Sequence, residues 1–250
     1  MDAEHSNGIY SLDGQRVLIV GGSSGVGLAL AREATRLGAQ AIIVGRDRAR
    51  LDRAAAIVGA GAIAEAADVR EPRDVRRLAA RIGRIDHLCV SVAHDIAPHS
   101  IADDLESLKQ HWDSLYWSSI VVVKETLAHL AETGSITFVT GSLSRKPVAG
   151  KSLFTSSQCA IEGIARALAV ELAPRRVNTV IPGLLDTPLW NALDPARRAA
   201  FFAGHAAKLP GRQIGRAEHV AGVVIACMVN GFVTGASMTV DGGSRLFRRP

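Results

Sequence analysis

The sequence predicts a three-layer α/β fold, a parallel sheet covered by helices on both faces. Strand-like and helix-like patterns alternate from about residue 16 to residue 241. The strand segments are near-continuous apolar runs, as expected of strands buried on both faces, and the helical segments are amphipathic. The first strand, Val17-Leu18-Ile19-Val20, runs straight into a glycine-rich turn, Gly21-Gly22-Ser23-Ser24-Gly25-Val26-Gly27, that opens a helix.

In that turn Gly21 and Gly25 can take backbone angles or close approaches that a Cβ would block, and Gly27 lets the helix lie close to the strand. Together with Ser23, Ser24 and Val26 they aim free N–H groups and the positive helix end at a phosphate. The position between a strand and a helix near the chain start is what this mechanism requires.

The helix opened by the turn covers 25–37 and ends at Gly38; 41–44 is a second strand. A second helix spans 47–58, with Asp47 as its cap. A short strand at 63–66 leads to Asp68-Val69, and Pro72 starts a helix rich in arginine and alanine. A fourth strand at 87–92 precedes a long helix over 105–130. A fifth strand at 135–140 is followed by another long helix at 155–172, and a sixth at 176–181 by a small helix at 195–208 between proline-containing loops. The last helix is 218–230 and the last strand 237–241. No internal repeat or linker divides the chain, so residues 1–13 are expected as a flexible segment and 14–250 as a single domain.

Composition narrows the function classes. Hydrophobic residues make up 48% and charged residues 21% of 250, an ordinary globular balance. No apolar run reaches the ~18 residues of a membrane span, and residues 1–13 lack an apolar signal core, so a cytoplasmic protein is expected. Cys89, Cys159 and Cys227 are odd in number and widely spaced, which reads as reduced, mostly buried thiols. No His/Cys/Asp set has metal-ligand spacing. The net charge of +5 comes largely from arginines scattered along the helices, not clustered with aromatics, which argues against a nucleic-acid partner.

The chain resembles the short-chain dehydrogenase/reductase family across nearly its full length. The matching residues, in order, are Gly21-x-x-x-Gly25-x-Gly27, Asp68-Val69, Trp112-Asp113, Glu162-Gly163, Ala169-Val170-Glu171-Leu172-Ala173-Pro174, Arg176-Val177-Asn178, Pro182-Gly183, Thr187-Pro188 and Asp241-Gly242-Gly243. The resemblance implies a Rossmann-type sheet of seven strands with a dinucleotide across the strands' carboxyl ends. It places Asp68 near the adenine amine, Val69 beneath the ring, Ala93 along the cofactor, Pro182, Gly183 and Thr187 around the nicotinamide, and a lid over 186–212. It also implies a homodimer or homotetramer, with a heteromer as the alternative. At the end of the second strand stands Gly45-Arg46, not a carboxylate. Glycine leaves room and the guanidinium can pair with a 2′-phosphate or stack on adenine, which points to NADP(H).

The resemblance breaks where the family usually performs chemistry with Tyr-x-x-x-Lys. The aligned stretch is Phe154-Thr155-Ser156-Ser157-Gln158, its register set by Glu162-Gly163 downstream. Phe154 has no proton to give, and Gln158 can hydrogen-bond a ribose but brings no charge. Such general acid–base help is typically worth ~10²–10⁴-fold in rate. The usual Asn-Asn-Ala-Gly is replaced by Ser91-Val92-Ala93-His94, and the helical asparagine aligns with Leu115. The serine survives as Ser142 or Ser144. His94 is the candidate replacement titratable group. Lys151 reads as solvated, Cys159 as a buried helix-packed thiol, and Trp112, Trp117 and Trp190 as core or lid residues, Trp190 being the one placed to touch a substrate.

Three functions follow. The first is an NADP(H)-binding member that has lost ordinary carbonyl reduction, a pseudo-oxidoreductase or partner subunit taking a small-molecule ligand. The second is an NADPH-dependent oxidoreductase on a substrate such as an imine, where hydride addition leaves a neutral amine and no alkoxide to protonate. The third is a non-redox cyclase or isomerase using the pocket as a shaped apolar cavity.

Overall fold

The computed structural model describes residues 10–59, 61–92 and 100–246. The chain begins β1 (Arg16–Val20), α1 (Gly25–Arg36), β2 (Gln40–Gly45), α2 (Arg48–Val58), β3 (Ile63–Ala66), α3 (Pro72–Ile82) and β4 (Ile85–Val90). It continues through α4 (Leu105–Trp112), a π-helical turn (Asp113–Trp117), α5 (Ser118–Thr126), β5 (Leu130–Val139) and α6 (Ser152–Glu171). Then come β6 (Arg176–Pro182), β7 (Leu185–Asp186), α7 (Pro195–Ala206), β8 (Gly215–Arg216), α8 (Ala217–Val229) and β9 (Ser237–Val240).

Seven strands form one parallel sheet in the order β3-β2-β1-β4-β5-β6-β9, as expected of a Rossmann-type fold. The chain winds outward from β1 through β2 to β3, then returns to lay β4 on the other side of β1. That reversal opens a crevice beyond the carboxyl ends of β1 and β4, where such sheets bind ligands.

Alternation along each strand divides the core in two. Val17, Ile19, Ile43 and Cys89 pack with α1 and α8, whereas Leu18, Val20, Ile42, Leu88 and Val90 pack with α3 and α5. Each fully buried aliphatic side chain contributes about 1.5–3 kcal/mol of transfer free energy, so the sheet is the rigid base on which the loops stand. Helix α1 buries Ala29, Leu30, Ala31 and Ala34 and stops before Gly38, whose φ of +92° only glycine adopts easily.

The long helix expected over 105–130 is three pieces. A π-helical turn interrupts it at Asp113–Trp117, and the Ser118 and Ser119 hydroxyls donate to the carbonyls of Ser114 and Leu115 there. Such back-bonding and the wider turn bend a helix, and neither leaves a mark in the apolar periodicity. The fifth strand starts at Leu130, which pairs with Ile85 before a bulge; regular pairing resumes at His87 with Ser135. The fourth strand accordingly spans Ile85–Val90, not 87–92. Helix α6 starts at Ser152, three residues earlier than its pattern suggested, because Gly150 at φ +75° turns the chain into it.

Among the described residues no helix is long and apolar enough to cross a membrane, and no group of His, Cys, Asp and Glu could hold a metal ion. Cys89 and Cys227 are buried, and burial pushes both thiols up, Cys227 to about 11. Cys159 departs from expectation: it lies on the exposed side of α6, one position past the buried Gln158 and so rotated out of the core.

Candidate functional site

The glycine turn closes onto the sheet at the crevice. Gly21, at φ +82°, approaches β4 so closely that a Cβ on it would lie 2.1 Å from the Ser91 carbonyl oxygen. A Cβ on Gly27 would lie 2.3 Å from the Gly21 oxygen, which fixes how near α1 sits to the turn. Ser24 is the extended N-cap of α1 and gives no side-chain cap, so the N–H groups of the first turn point outward without an intrahelical acceptor. Among the described residues, Gly25, at φ +53°, has only the Thr187 side chain in front of it, at 3.8 Å from a would-be Cβ. The turn is therefore an open cradle of backbone donors facing Thr187, and its shape and polarity fit a pyrophosphate.

Cations gather beside the cradle. Arg50 reaches Ser24 Oγ at 3.4 Å, and Ser23 lies against Gly45. Arg46 is exposed just beyond Gly45. Asp68 accepts a two-pronged hydrogen bond from Arg70, at 3.0 and 2.5 Å, and this guanidinium holds its carboxyl below the ordinary range, with Arg46 adding a smaller pull. Val69 is buried under the same turn. Sequence reading missed this Arg70 pairing, because two residues of a short loop carry no periodicity that would mark it.

Opposite, Pro182 ends β6, and Gly183 backs onto Asp241: a Cβ there would meet the Asp241 Cα at 2.8 Å. Asp241 is itself spent on the backbone N–H groups of Gly243 and Arg245. The Asn178 and Arg176 side chains likewise bind carbonyls; Arg176 caps the end of α8 at Cys227 and Met228. These matching motifs hold the framework around the crevice.

The corner that the sequence reading assigns to chemistry sits between α4, the π-helical turn and α6. Phe154 and Gln158 are one turn apart on α6. The Phe154 ring meets His111 edge-on, with centroids 4.5 Å apart, and the Lys151 ammonium lies 5.3 Å from the ring centre. Lys151 thus sits over an aromatic face, a correction to the solvated reading. His111 is buried and its Nε2 is 3.2 Å from Ser157 Oγ, while Ser157 donates to the Phe154 carbonyl. Sequence reasoning missed His111; its position four residues before Leu115, on one helix face, is the signal that could have found it. Leu115 is buried in the π-helical turn.

Gln158 is buried with its Oε1 accepting from the Ser144 N–H at 3.2 Å and its amide packed on Gly141. The Ser144 hydroxyl donates to the Gly141 carbonyl, 3.1 Å away. Ser142 begins the same short 3-10 turn. This loop is anchored from both sides: Arg145 pairs with the buried Glu162 of α6, and Lys146 donates to the Ser244 carbonyl at 3.0 Å. Ala93 and His94 lie outside the described residues. Trp112 lies tilted against Tyr116 and Trp117 meets it edge-on, whereas Trp190 follows Thr187 in a 3-10 turn and packs on Phe201 of α7.

Comparison with known proteins agrees with this architecture. A family model described as enoyl-(acyl carrier protein) reductase matches residues 20–245. The cyclic-di-GMP-binding biofilm dispersal mediator protein of Escherichia coli is 34% identical over 243 residues, 92% of this chain and 96% of its own. Short-chain dehydrogenase/reductase malC of Malbranchea aurantiaca is 30% identical, covering 94% of this chain and 96% of its own. The solved structure of MalC, a reductase/Diels-Alderase, superposes with a TM-score of 0.88 at 26% identity, over 98% of this chain and 100% of that one. A small-chain dehydrogenase solved in complex with NADPH superposes at 0.80 with 28% identity, over 94% and 100% of the two chains.

Proposed function

The chain belongs to the short-chain dehydrogenase/reductase family, and from that premise we propose that it binds NADP(H) but has lost ordinary carbonyl reduction, acting as a pseudo-oxidoreductase or partner subunit. One observation carries the reading. At the two positions where a phenol and an ammonium are needed, Phe154 is seated on His111, and the Gln158 carboxamide is occupied by Ser144. No proton is available at residue 154, and no charge at residue 158 to lower a neighbour's pKa.

Dinucleotide binding is supported by the open cradle and by the NADPH complex of a structural neighbour. Gly21, Ser23, Ser24, Gly25, Val26 and Gly27 would hold the pyrophosphate, Asp68 and Val69 the adenine, and Pro182, Gly183 and Thr187 the nicotinamide, which when bound supplies a hydride. Arg46 favours the 2′-phosphate form because a guanidinium pairs with phosphate in two-pronged fashion. Ser142 is the serine left to orient a ligand, since the Ser144 hydroxyl is engaged. Exposed Trp117 and Val170, on the helices flanking the corner, suit a homo-oligomer.

A second reading is supported by the likeness to MalC, described as both a reductase and a Diels-Alderase. In it the chain transfers hydride to a substrate such as an imine, which needs no proton from residue 154.

The test is a titration of NADPH and NADH against tryptophan fluorescence and melting temperature, followed by a ketone, aldehyde and imine panel. NADPH binding without turnover is the expected result. Turnover on imines alone selects the second reading, and turnover on simple ketones overturns the first. Absence of dinucleotide binding removes both and leaves a cyclase or isomerase.

A further inference from the structure

Helix α7 is twelve residues long and buries none of them. It nevertheless carries two adjacent phenylalanines, which together with Trp190 form one ring cluster. The Trp190 centroid is 5.3 Å from Phe201 and 6.0 Å from Phe202, and the two phenylalanines are 5.8 Å apart. Phe201 stays 44% exposed and the neighbouring Leu189 41%. An aromatic cluster on a helix without core contacts gains little from folding alone, because much of its surface stays wet.

The cluster is tied to the cofactor end of the molecule. Thr187, three residues before Trp190, stands in front of Gly25 of the glycine turn. The stem of this segment is pinned by pairing of β7 with β8, Leu185 opposite Gly215. Arg198 fastens α7 to that stem: it pairs with Asp186, donates to Asn191 Oδ1 at 2.8 Å and lies 5.5 Å from the Phe202 ring centre. Its charge is thereby neutralised within the segment. The catalytic corner contributes Phe154 and Leu115 in place of polar groups. Apolar side chains dominate both surfaces, so a flat ring gains from stacking on either, whereas a polyol or sugar would trade most of its hydration for apolar contact.

We infer that Trp190 and Phe201 form a stacking platform that selects a neutral, planar aromatic small molecule as the ligand. The inference rests on the proposed dinucleotide site, because the platform begins at the residue facing the glycine turn.

The test measures binding of 2-naphthaldehyde, cyclohexanecarboxaldehyde and glucose to the NADPH-loaded protein by calorimetry. Naphthaldehyde is expected to bind about tenfold tighter than the cyclohexane analogue, the size of one aromatic contact. Trp190→Ala and Phe201→Ala should each abolish that preference and leave NADPH affinity unchanged. Wild-type preference in both variants, or equal binding of glucose, overturns the platform. So does a change in oligomeric state in Phe201→Ala with unchanged naphthaldehyde binding, which would make the cluster a contact between copies. If NADPH does not bind while the naphthaldehyde preference persists and needs Trp190, the platform stands and the dinucleotide reading fails.

Discussion

The imidazole of His111 stands edge-on against the ring of Phe154, with centroids 4.5 Å apart and planes inclined by 63°. The contact joins α4 to α6 at the residue proposed to replace the family's tyrosine. His111 is held in turn by Ser157, whose hydroxyl is tied to the Phe154 carbonyl. The Phe154 ring is therefore braced by neighbouring side chains.

Restoring a phenol and an ammonium should restore chemistry. Phe154→Tyr with Gln158→Lys is expected to raise NADPH-dependent ketone reduction by ~10²-fold or more, the usual worth of general acid–base help. The lysine forfeits the Ser144 N–H contact, at about 1 kcal/mol. Steady-state NADPH oxidation is the measurement. If the pair alone gains nothing, adding Leu115→Asn should supply the missing gain.

Cofactor choice should follow Arg46. Replacing it with alanine removes a charge-assisted contact to a 2′-phosphate, so NADPH binding should weaken about tenfold or more while NADH binding changes little. Fluorescence titration of both dinucleotides reads the ratio. Equal loss for both would mean that Arg46 stacks on adenine and does not read the phosphate.

Gly21 admits no side chain. In Gly21→Ala the new Cβ meets the Ser91 carbonyl at 2.1 Å, a backbone atom in the sheet that cannot swing away, at a φ of +82°. Overpacking and backbone strain together should cost about 3 kcal/mol or more. Thermal and urea unfolding should show the loss without added dinucleotide. Gly150→Ala, at φ +75° but in open space, should cost only about 1 kcal/mol.

Acid should destabilise the protein through His87. This side chain is buried between Ser135 Oγ at 2.7 Å and Gln15 Oε1 at 2.6 Å, and burial, aided by Arg176, pushes its pKa from 6.5 down to about 4. The unfolded chain takes up a proton near 6.5 while the folded chain stays neutral. Stability is thus full above that pH, falls as pH drops through 6.5, and stops falling near 4. The loss amounts to about 2 kcal/mol between about pH 7 and pH 5. Urea midpoints across that range measure it, and His87→Gln should flatten the dependence.

The architecture was legible in the sequence because it rests on local patterns. Short apolar runs such as Ile42-Ile43-Val44, alternating with helix-like segments, read as strands buried on both faces, and the glycine spacing after β1 encodes a turn with no room for a Cβ at Gly21 or Gly27. The proposal that Phe154 and Gln158 stand in for tyrosine and lysine also comes from the sequence, as a matter of register along one helix. The tertiary structure alone decided what those side chains do. That His111 supports Phe154, that Ser144 takes up Gln158 and that Trp190 joins Phe201 depend on which surfaces meet between separate segments. Periodicity tells which face of an element is apolar; it holds no information on which partner that face will find, because packing is settled by shape and distance between segments remote in sequence.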